Sequence, residues 1–148
     1  MPLVRDIHQD DYKAWRKLWD GYTAFYNEKL PEQVTQSTWN RMFDPESSIQ
    51  AHVAEEGGSL VGFAIFLMHE ATWQAEPICY LEDLYVDETI RGKGVGRALI
   101  QNLIDLGHQK GWGRVYWHTD KANERARRLY DQFLPADNHV RYRVYMDK

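Results

Sequence analysis

Hydrophobic and polar positions change period several times along the chain, and each change marks the boundary of a predicted element. Short alternating or apolar runs predict strands, whereas apolar residues three or four positions apart predict helices. The order is β-α-α-β-β-β-α-β-α-β. The predicted strands are 3–7, 49–55, 60–68, 78–86, 114–119 and 140–146. The predicted helices are 9–27, 32–43, 94–110 and 123–133.

This order predicts an α/β (α+β) fold in which helices pack on a mixed central sheet. No repeat, low-complexity tract or Pro- and Gly-rich linker divides the chain. A chain of 148 residues is long enough to build one hydrophobic core. We therefore expect residues 1–148 to form a single domain.

An aromatic stripe runs along the first predicted helix, where Trp15, Trp19, Tyr22 and Tyr26 step by 4, 3 and 4 positions. Such spacing places the four rings on one helical face. One interpretation is packing, in the core or against a second copy, which is what helical spacing usually indicates. The other is a pocket that binds a cationic amine through cation–π contacts, with Trp19, Tyr22 and Tyr26 as the substrate-binding residues. Both interpretations stay open.

Composition narrows the class of partner. The net charge of −4 argues against a general nucleic-acid binder, which would present a basic face. No apolar run approaches the length of a membrane span, and the N-terminus has no signal-peptide pattern, so we expect a cytoplasmic protein that does not bind membranes. The aromatic content of 14% predicts a large packed core, a subunit interface or an aromatic-walled pocket.

Cysteine and histidine add little chemistry. Cys79 is the only cysteine, and a lone cysteine in a strand is more often a small buried hydrophobe than a nucleophile. The six histidines form no pattern typical of metal ligands, so we expect no metal. His118 and His139 are candidates for the lining of an active-site cleft, but nothing in the sequence raises them above surface or structural roles.

A glycine-rich loop joins the strand 78–86 to the helix that follows. Arg91-Gly-Lys-Gly94-Val-Gly96 precedes an apolar-periodic run, and the unsatisfied N–H groups of a helix start attract anions. A diphosphate is the natural occupant. No Ser or Thr follows Lys93, so a Walker loop is excluded, and the spacing also fails the dinucleotide fingerprint G-x-G-x-x-G. The alternative is a charged turn that only connects a strand to a helix.

Three segments together carry a family resemblance. The loop 91–96 resembles the R/Q-x-x-G-x-G/A signature of the GNAT family of N-acetyltransferases. The strand Tyr80-Leu-Glu-Asp-Leu-Tyr-Val86 is similar to the family's splayed fourth strand. Asn123-Glu-Arg-Ala-Arg-Arg-Leu-Tyr130 is similar to its N-x-x-A-x-x-L/F-Y helix. The stretch 19–26 further resembles the subgroup that contains the yeast histone, polyamine and D-amino-acid acetyltransferases.

The resemblance implies a single GNAT-like domain with a mostly antiparallel sheet, and acetyl-coenzyme A as co-substrate. The loop would hold the pyrophosphate of acetyl-coenzyme A. The backbone of the fourth strand would bind the pantetheine arm, and Asn123 would form a hydrogen bond with that arm. The implied cofactor-binding residues are Leu84, Tyr85, Val86, Arg91, Gly92, Lys93, Gly94, Val95, Gly96, Arg97, Asn123 and Tyr130.

The resemblance also implies that an amine attacks the thioester directly and must first be neutral. Deprotonating a lysine-like ammonium of pKa near 10.4 at pH 7 costs about 4.6 kcal/mol, so a base matters. Glu82 and Asp83 are the candidate bases, and as neighbours on a strand they are expected on opposite faces. We favour Glu82 as the base, and it would also bind the substrate. The alternative for Asp83 is that it is only a solvated or helix-capping carboxylate. Tyr130 is the candidate acid for the departing sulfur.

The sequence thus predicts an enzyme that transfers an acetyl group to a primary amine of a small molecule, a polyamine or an amino acid. Alternatives are a protein or histone lysine acetyltransferase and a non-catalytic acyl-CoA-binding sensor. Family members usually carry a Gly-Phe pair soon after the Leu-Tyr of the helix, and residues 131–136 lack that glycine, which puts the adjoining acceptor wall in doubt. The C-terminal strand and the aromatic excess make a homodimer an open alternative to a monomer.

Overall fold

The computed structural model of the chain describes residues 2–90 and 92–146. These residues divide into two compact units, the first ending at His118 and the second beginning at Thr119. The first unit carries the sheet, and the second carries a short helix and a C-terminal segment without regular secondary structure. Within the described ranges, no helix combines the length and the apolar character that crossing a bilayer requires. The single-domain expectation stays a prediction.

The first unit is built on a five-stranded sheet whose strands follow one another in chain order. Its strands are β1 (Leu3–Asp6), β2 (Ile49–Glu56), β3 (Ser59–His69), β4 (Ile78–Val86) and β5 (Val115–Trp117). The pairs from β1 to β4 are antiparallel, and β4 pairs with β5 in parallel. A parallel pair needs a crossover, and a helix between β4 and β5 supplies it. The prediction of a mixed, mostly antiparallel sheet is confirmed.

One face of the sheet is covered by α1 (Tyr12–Phe25), which follows a 3₁₀ turn at Gln9–Asp11, and by α2 (Glu32–Arg41). The core on this face joins residues of α1 and α2 to the inward side chains of β2, β3 and β4. Its members are Ile7, Trp15, Leu18, Trp19, Trp39, Ala51, Val53, Phe63, Ile65 and Tyr85. Aromatic side chains supply half of this set, because large rings bury much apolar area per residue.

The other face is covered by α3 (Val95–Lys110), whose buried side includes Val95, Leu99, Ile100 and Leu103. Gly62 on β3 lets this helix come close. A Cβ atom at Gly62 would lie 2.8 Å from the Tyr85 carbonyl oxygen and 3.2 Å from a methyl group of Val95. The close approach holds the start of α3 directly against the sheet.

The second unit contains α4 (Glu124–Tyr130). The strand predicted at 140–146 is not formed, since these residues adopt no regular secondary structure. Val140, Tyr142 and Val144 are 76%, 91% and 82% exposed, so the alternating side chains cover no core. A strand is stable only when another strand pairs with its backbone groups, and the described residues provide none here.

Candidate active site

The pairing of β4 with β3 is irregular at Glu82. Phe66 on β3 pairs with Leu81, and the preceding residue Ile65 pairs with Asp83. One residue of β3 therefore corresponds to two of β4, which makes Glu82 the extra residue of a β-bulge. Bulges bend a strand locally and re-aim its side chains.

The pairing of β4 with β5 ends at the same place. The parallel ladder joins Cys79–Leu81 to Val115–Trp117 and stops there, whereas β4 continues to Val86. β4 and β5 therefore separate at Glu82. This is the splayed fourth strand that the family resemblance implied.

The bulge also changes the environment of the two candidate bases. Leu81 lies opposite Phe66 on the α3 side, and Asp83 lies opposite Ile65 on the α1 side. The strict alternation that predicted opposite faces for Glu82 and Asp83 therefore does not continue through the bulge. The two carboxylates differ instead in burial: Glu82 is exposed and Asp83 is half-buried.

Asp83 is bound to the first helix. The Tyr22 hydroxyl donates a hydrogen bond to Asp83 Oδ1 at 2.7 Å. Burial raises the pKa of the Asp83 carboxyl to about 6, although the bond from Tyr22 opposes the rise, and the nearby Glu82 adds to it. Burial and the neighbouring Asp83 carboxylate raise the pKa of Tyr22, so this phenol stays protonated at neutral pH. The pair ties α1 to β4 one residue beyond the bulge.

The glycine loop leads from β4 into α3 as predicted. Gly92 and Gly94 have φ values of 89° and 80°, in the left-handed region that favours glycine. A Cβ atom at either position would meet nothing within 4 Å, so the space above the loop is open. Gly94 is the N-cap of α3 and has no side chain with which to cap it. Open space, exposed Lys93 and an uncapped helix start fit a bound pyrophosphate.

The remaining predicted cofactor-binding residues divide by position. Leu84, Tyr85 and Val86 follow the bulge and pair on the β3 side with Ala64, Phe63 and Gly62. The Val95 side chain is buried, whereas Arg97 is exposed in the first turn of α3 and Gly96 is half-buried between them. Arg91 lies outside the described residues.

The aromatic stripe of α1 divides into a buried and an accessible part. Trp15 is fully buried and stacks on Trp19, at 5.2 Å between ring centroids, and Trp19 is only 5% exposed. Trp19 Nε1 donates to Thr35 Oγ1 at 3.1 Å. The packing interpretation describes these two tryptophans. Tyr22 is half-buried, and Tyr26 is 50% exposed and packs edge-on against it, at 5.3 Å.

Asn123 and Tyr130 belong to the second unit and stand at opposite ends of α4. Asn123 is the N-cap, and its Oδ1 accepts a hydrogen bond from the Ala126 N–H at 3.2 Å. This bond uses the side-chain oxygen, so the amide N–H groups are the part of Asn123 suited to a pantetheine carbonyl. Tyr130 ends the helix and is half-buried.

A cluster of tyrosine and histidine lies beside Glu82, and of its members the sequence pointed only to His118, without assigning it a role. Tyr80 and Tyr116 are register partners, with ring centroids 5.0 Å apart. The Tyr80 hydroxyl lies 3.3 Å from His118 Nδ1, and the Tyr116 hydroxyl lies 2.8 Å from His69 Nε2. Burial and a hydrogen bond with Glu82 raise the pKa of Tyr80. The period of two in Tyr80–Glu82 and Tyr116–His118 was the available signal.

The lone thiol and the possibility of a metal site are the remaining candidates for chemistry. Cys79 is fully buried, and burial raises its thiol pKa to about 12, so it behaves as the predicted hydrophobe. Among the described residues, no group of three His, Cys, Asp or Glu side chains is arranged to hold a metal ion.

Comparison with known proteins identifies the family. The profile of the acetyltransferase (GNAT) family matches residues 5–134. The chain is 37% identical over 143 residues to the D-amino-acid N-acetyltransferase HPA3 of Saccharomyces cerevisiae, covering 95% of this chain and 89% of that protein. The chain therefore belongs to the GNAT family, and it is an N-acetyltransferase.

Other relatives are more distant. A thialysine N-epsilon-acetyltransferase of Bos taurus is 32% identical over 75 residues, covering 51% of this chain and 44% of that protein. A crystal structure of an aminoglycoside acetyltransferase from an uncultured soil metagenomic sample superposes with a TM-score of 0.82. It covers 99% of this chain and 97% of its own at 21% identity, which is a likeness of fold.

The Asp83–Tyr22 pair predicts a pH-dependent stability. Folding raises the pKa of Asp83 from 3.8 to about 6, so the folded chain keeps this proton where the unfolded chain loses it. The buried carboxylate charge therefore lowers the unfolding free energy progressively as the pH rises from about 4 to about 6, and the loss is complete above about pH 6. Asp83→Asn removes that cost. The gain in unfolding free energy over wild type should be about 1–2 kcal/mol larger at pH 7.5 than at pH 5.

Urea denaturation at the two pH values measures this difference. Asp105→Asn is the matched control, because Asp105 is an exposed carboxylate on α3 that accepts from Gln101. A gain for Asp83→Asn that is equal at both pH values would show that Asp83 ionises in the folded chain as it does in the unfolded one.

Proposed function

We propose that the protein transfers the acetyl group of acetyl-CoA to a primary amine of a small molecule, an amino acid or a polyamine, with Glu82 as the base. The observation that carries this proposal is the coincidence of three features on β4. The bulge exposes Glu82, the ladder with β5 ends beside it, and the same strand leads into the open glycine loop. A cofactor held at the loop would lie along the strand that carries the base.

The relatives support an amine of a small molecule. By name, one relative acts on D-amino acids and another on the ε-amine of thialysine. Accessible side chains on the α1 face suit such an acceptor: Tyr22 and Tyr26 offer aromatic surface, and Trp19 packs behind Tyr22 at 5.6 Å between centroids. The same proposal includes a cytoplasmic location and leaves a homodimer as the alternative to a monomer.

Each residue has a distinct proposed role. Acetyl-CoA supplies an activated acetyl group when it is bound. Glu82 accepts a proton from the acceptor ammonium, directly or through water, and Asp83 positions β4 through Tyr22. The glycine loop and the first turn of α3 bind the pyrophosphate. The residues concerned are Arg91, Gly92, Lys93, Gly94, Val95, Gly96 and Arg97. The backbone of Leu84, Tyr85 and Val86 and the amide of Asn123 bind the pantetheine arm, and Tyr130 donates a proton to the departing sulfur.

Two other functions make different demands on the same residues. A protein lysine acetyltransferase would need an open acidic groove, whereas the surface beside Glu82 is lined by tyrosine and histidine. A non-catalytic acyl-CoA sensor would need the loop but neither a base nor an acid. The presence of Glu82 at the bulge favours the enzyme over the sensor.

The loop is tested by Gly94→Glu. The new carboxylate would repel the pyrophosphate, and a side chain on a residue with φ of 80° would strain the turn. The affinity for coenzyme A, measured by calorimetry, should therefore fall below detection. Gly111→Glu is the matched control, because Gly111 has φ of 74° and the same open surroundings at the opposite end of α3. Equal affinity in the two variants would place the cofactor elsewhere.

The base is tested by Glu82→Gln. Wild-type kcat/KM for an alkyl amine should rise toward alkaline pH, because more acceptor is neutral there. Without the carboxylate the rate should fall about 10²- to 10⁴-fold near neutral pH. The shape of the pH profile should change as well, and Glu46→Gln, at an exposed position after α2, is the control. A profile identical to that of wild type would point to another base.

The acid is tested by Tyr130→Phe. The hydroxyl is expected to act only in the chemical step, so kcat should fall at least about 10-fold while the KM for acetyl-CoA changes little. Tyr142→Phe is the control within the same unit, where Tyr142 is 91% exposed. A wild-type kcat in Tyr130→Phe would remove Tyr130 from the mechanism.

A further inference from the structure

The tyrosines beside Glu82 form a continuous surface on the α1 face of the sheet. Tyr80 lies opposite Leu67, two residues from Ile65 of the α1-side core, and Tyr116 is its register partner on β5. Side chains at register-paired positions point to the same face. Tyr80 and Tyr116 therefore extend the sheet face that carries Asp83, the residue to which Tyr22 of α1 donates its hydrogen bond. We name this pair the tyrosine ledge.

Hydrogen bonds orient both rings of the ledge. His69 on β3 bonds the Tyr116 hydroxyl, and His118 after β5 bonds the Tyr80 hydroxyl. The histidine rings also pack edge-on against the tyrosines, at 5.8 Å for His69 with Tyr116 and 5.4 Å for His118 with Tyr80. A surface held in this way is preorganised, which lowers the entropy cost of binding a ligand.

Opposite charges lie at the two ends of the ledge. Glu82 lies at one end, two residues after Tyr80 on β4, and its proximity helps to raise the pKa of the Tyr80 phenol. At the other end the Arg114 guanidinium carbon lies 5.1 Å from the centroid of the Tyr116 ring. The phenol of Tyr116 senses both charges: burial raises its pKa, Arg114 lowers it, and Glu82 raises it. The ledge is thus a short aromatic surface with a carboxylate at one end and a guanidinium at the other.

Among the described residues, the Arg114 guanidinium contacts the ring of Tyr116 and no carboxylate. Its side chain is exposed, and no carboxylate lies within ion-pair distance of it among residues 2–90 and 92–146. Stacking on Tyr116 limits the rotamers of the guanidinium and leaves its N–H groups available. A guanidinium fixed in this way is suited to bidentate binding of a carboxylate.

We propose that the tyrosine ledge binds the acceptor, with Arg114 holding the carboxylate of an amino acid whose amine faces Glu82. This inference rests on the proposed function and narrows it. An amino acid matches both ends of the ledge, whereas a polyamine would place a second cation beside Arg114. Like charges brought together in this way oppose binding, so the ledge selects amino acids over polyamines.

Matched pairs of acceptors test the selection. Lysine and cadaverine share an aliphatic primary amine and differ in the carboxylate, as do 6-aminohexanoate and hexylamine. In a coenzyme A release assay, wild-type kcat/KM should be higher for the carboxylated member of each pair. Arg114→Gln should lower kcat/KM about 10- to 100-fold for that member, the loss expected for one charged hydrogen-bonded contact, and should leave the other member unchanged or improved.

Controls separate the carboxylate contact from a general loss of charge or structure. Arg141→Gln removes a cation from the exposed C-terminal segment and should change neither member of a pair. Arg114→Lys keeps the charge but loses the planar fork, so it should restore only part of the selectivity. An equal effect of Arg114→Gln on both members, or no effect on either, would overturn the inference.

A binding measurement distinguishes failure of the ledge from failure of the proposed function. The imidazole resonances of His69 and His118 report on the ledge directly in an NMR titration with 6-aminohexanoate or hexylamine. Shifts that are larger with 6-aminohexanoate and lost in Arg114→Gln support the ledge even if no acetyl transfer is detected. Acetyl transfer to amines without such shifts would retain the proposed function and reject the ledge.

Discussion

The interruption of β4 at Glu82 is the constraint on which the site depends. On one side of the strand, the bulge gives β4 an extra residue relative to β3, and on the other side the ladder with β5 ends one residue earlier. A regular strand at this position would place Glu82 in an alternating ladder and continue the pairing of β4 with β5. Instead a carboxylate is exposed at the point where two parallel strands separate.

The rest of the first unit holds this interruption in place. Before it, Leu81 is paired on both sides, and after it Asp83 is tied to α1 by the bond from Tyr22. The tryptophans of α1 are buried and fix that helix on the sheet. The buried carboxyl is costly when ionised, so the link between α1 and β4 exists at the expense of stability. Such local costs are common where a fold positions functional groups.

Sequence patterns predicted the elements well wherever neighbours along the chain decide the structure. The bounds of β4 were predicted without error, and the start of α3 after Gly94 followed from the glycine loop. The strand at 140–146 was wrong, because alternation shows only that a segment can be a strand. Whether it becomes one depends on a partner for its backbone, which no local pattern reports. Trp19 was ambiguous for a related reason, since helical spacing is the same for a core and for a pocket.

The sequence by itself determined the family and led to the proposal that the loop 91–96 binds the cofactor, because both inferences depend on short motifs whose spacing can be read within one chain. It named Glu82 and Asp83 as the carboxylates of the site, but could not separate them. Only the tertiary structure decided that the bulge exposes one and that burial under Tyr22 perturbs the other. It alone brought Arg114, Tyr116 and Tyr80 into one row that ends at Glu82, because β4 and β5 are separated along the chain by α3 and pair only in the folded sheet.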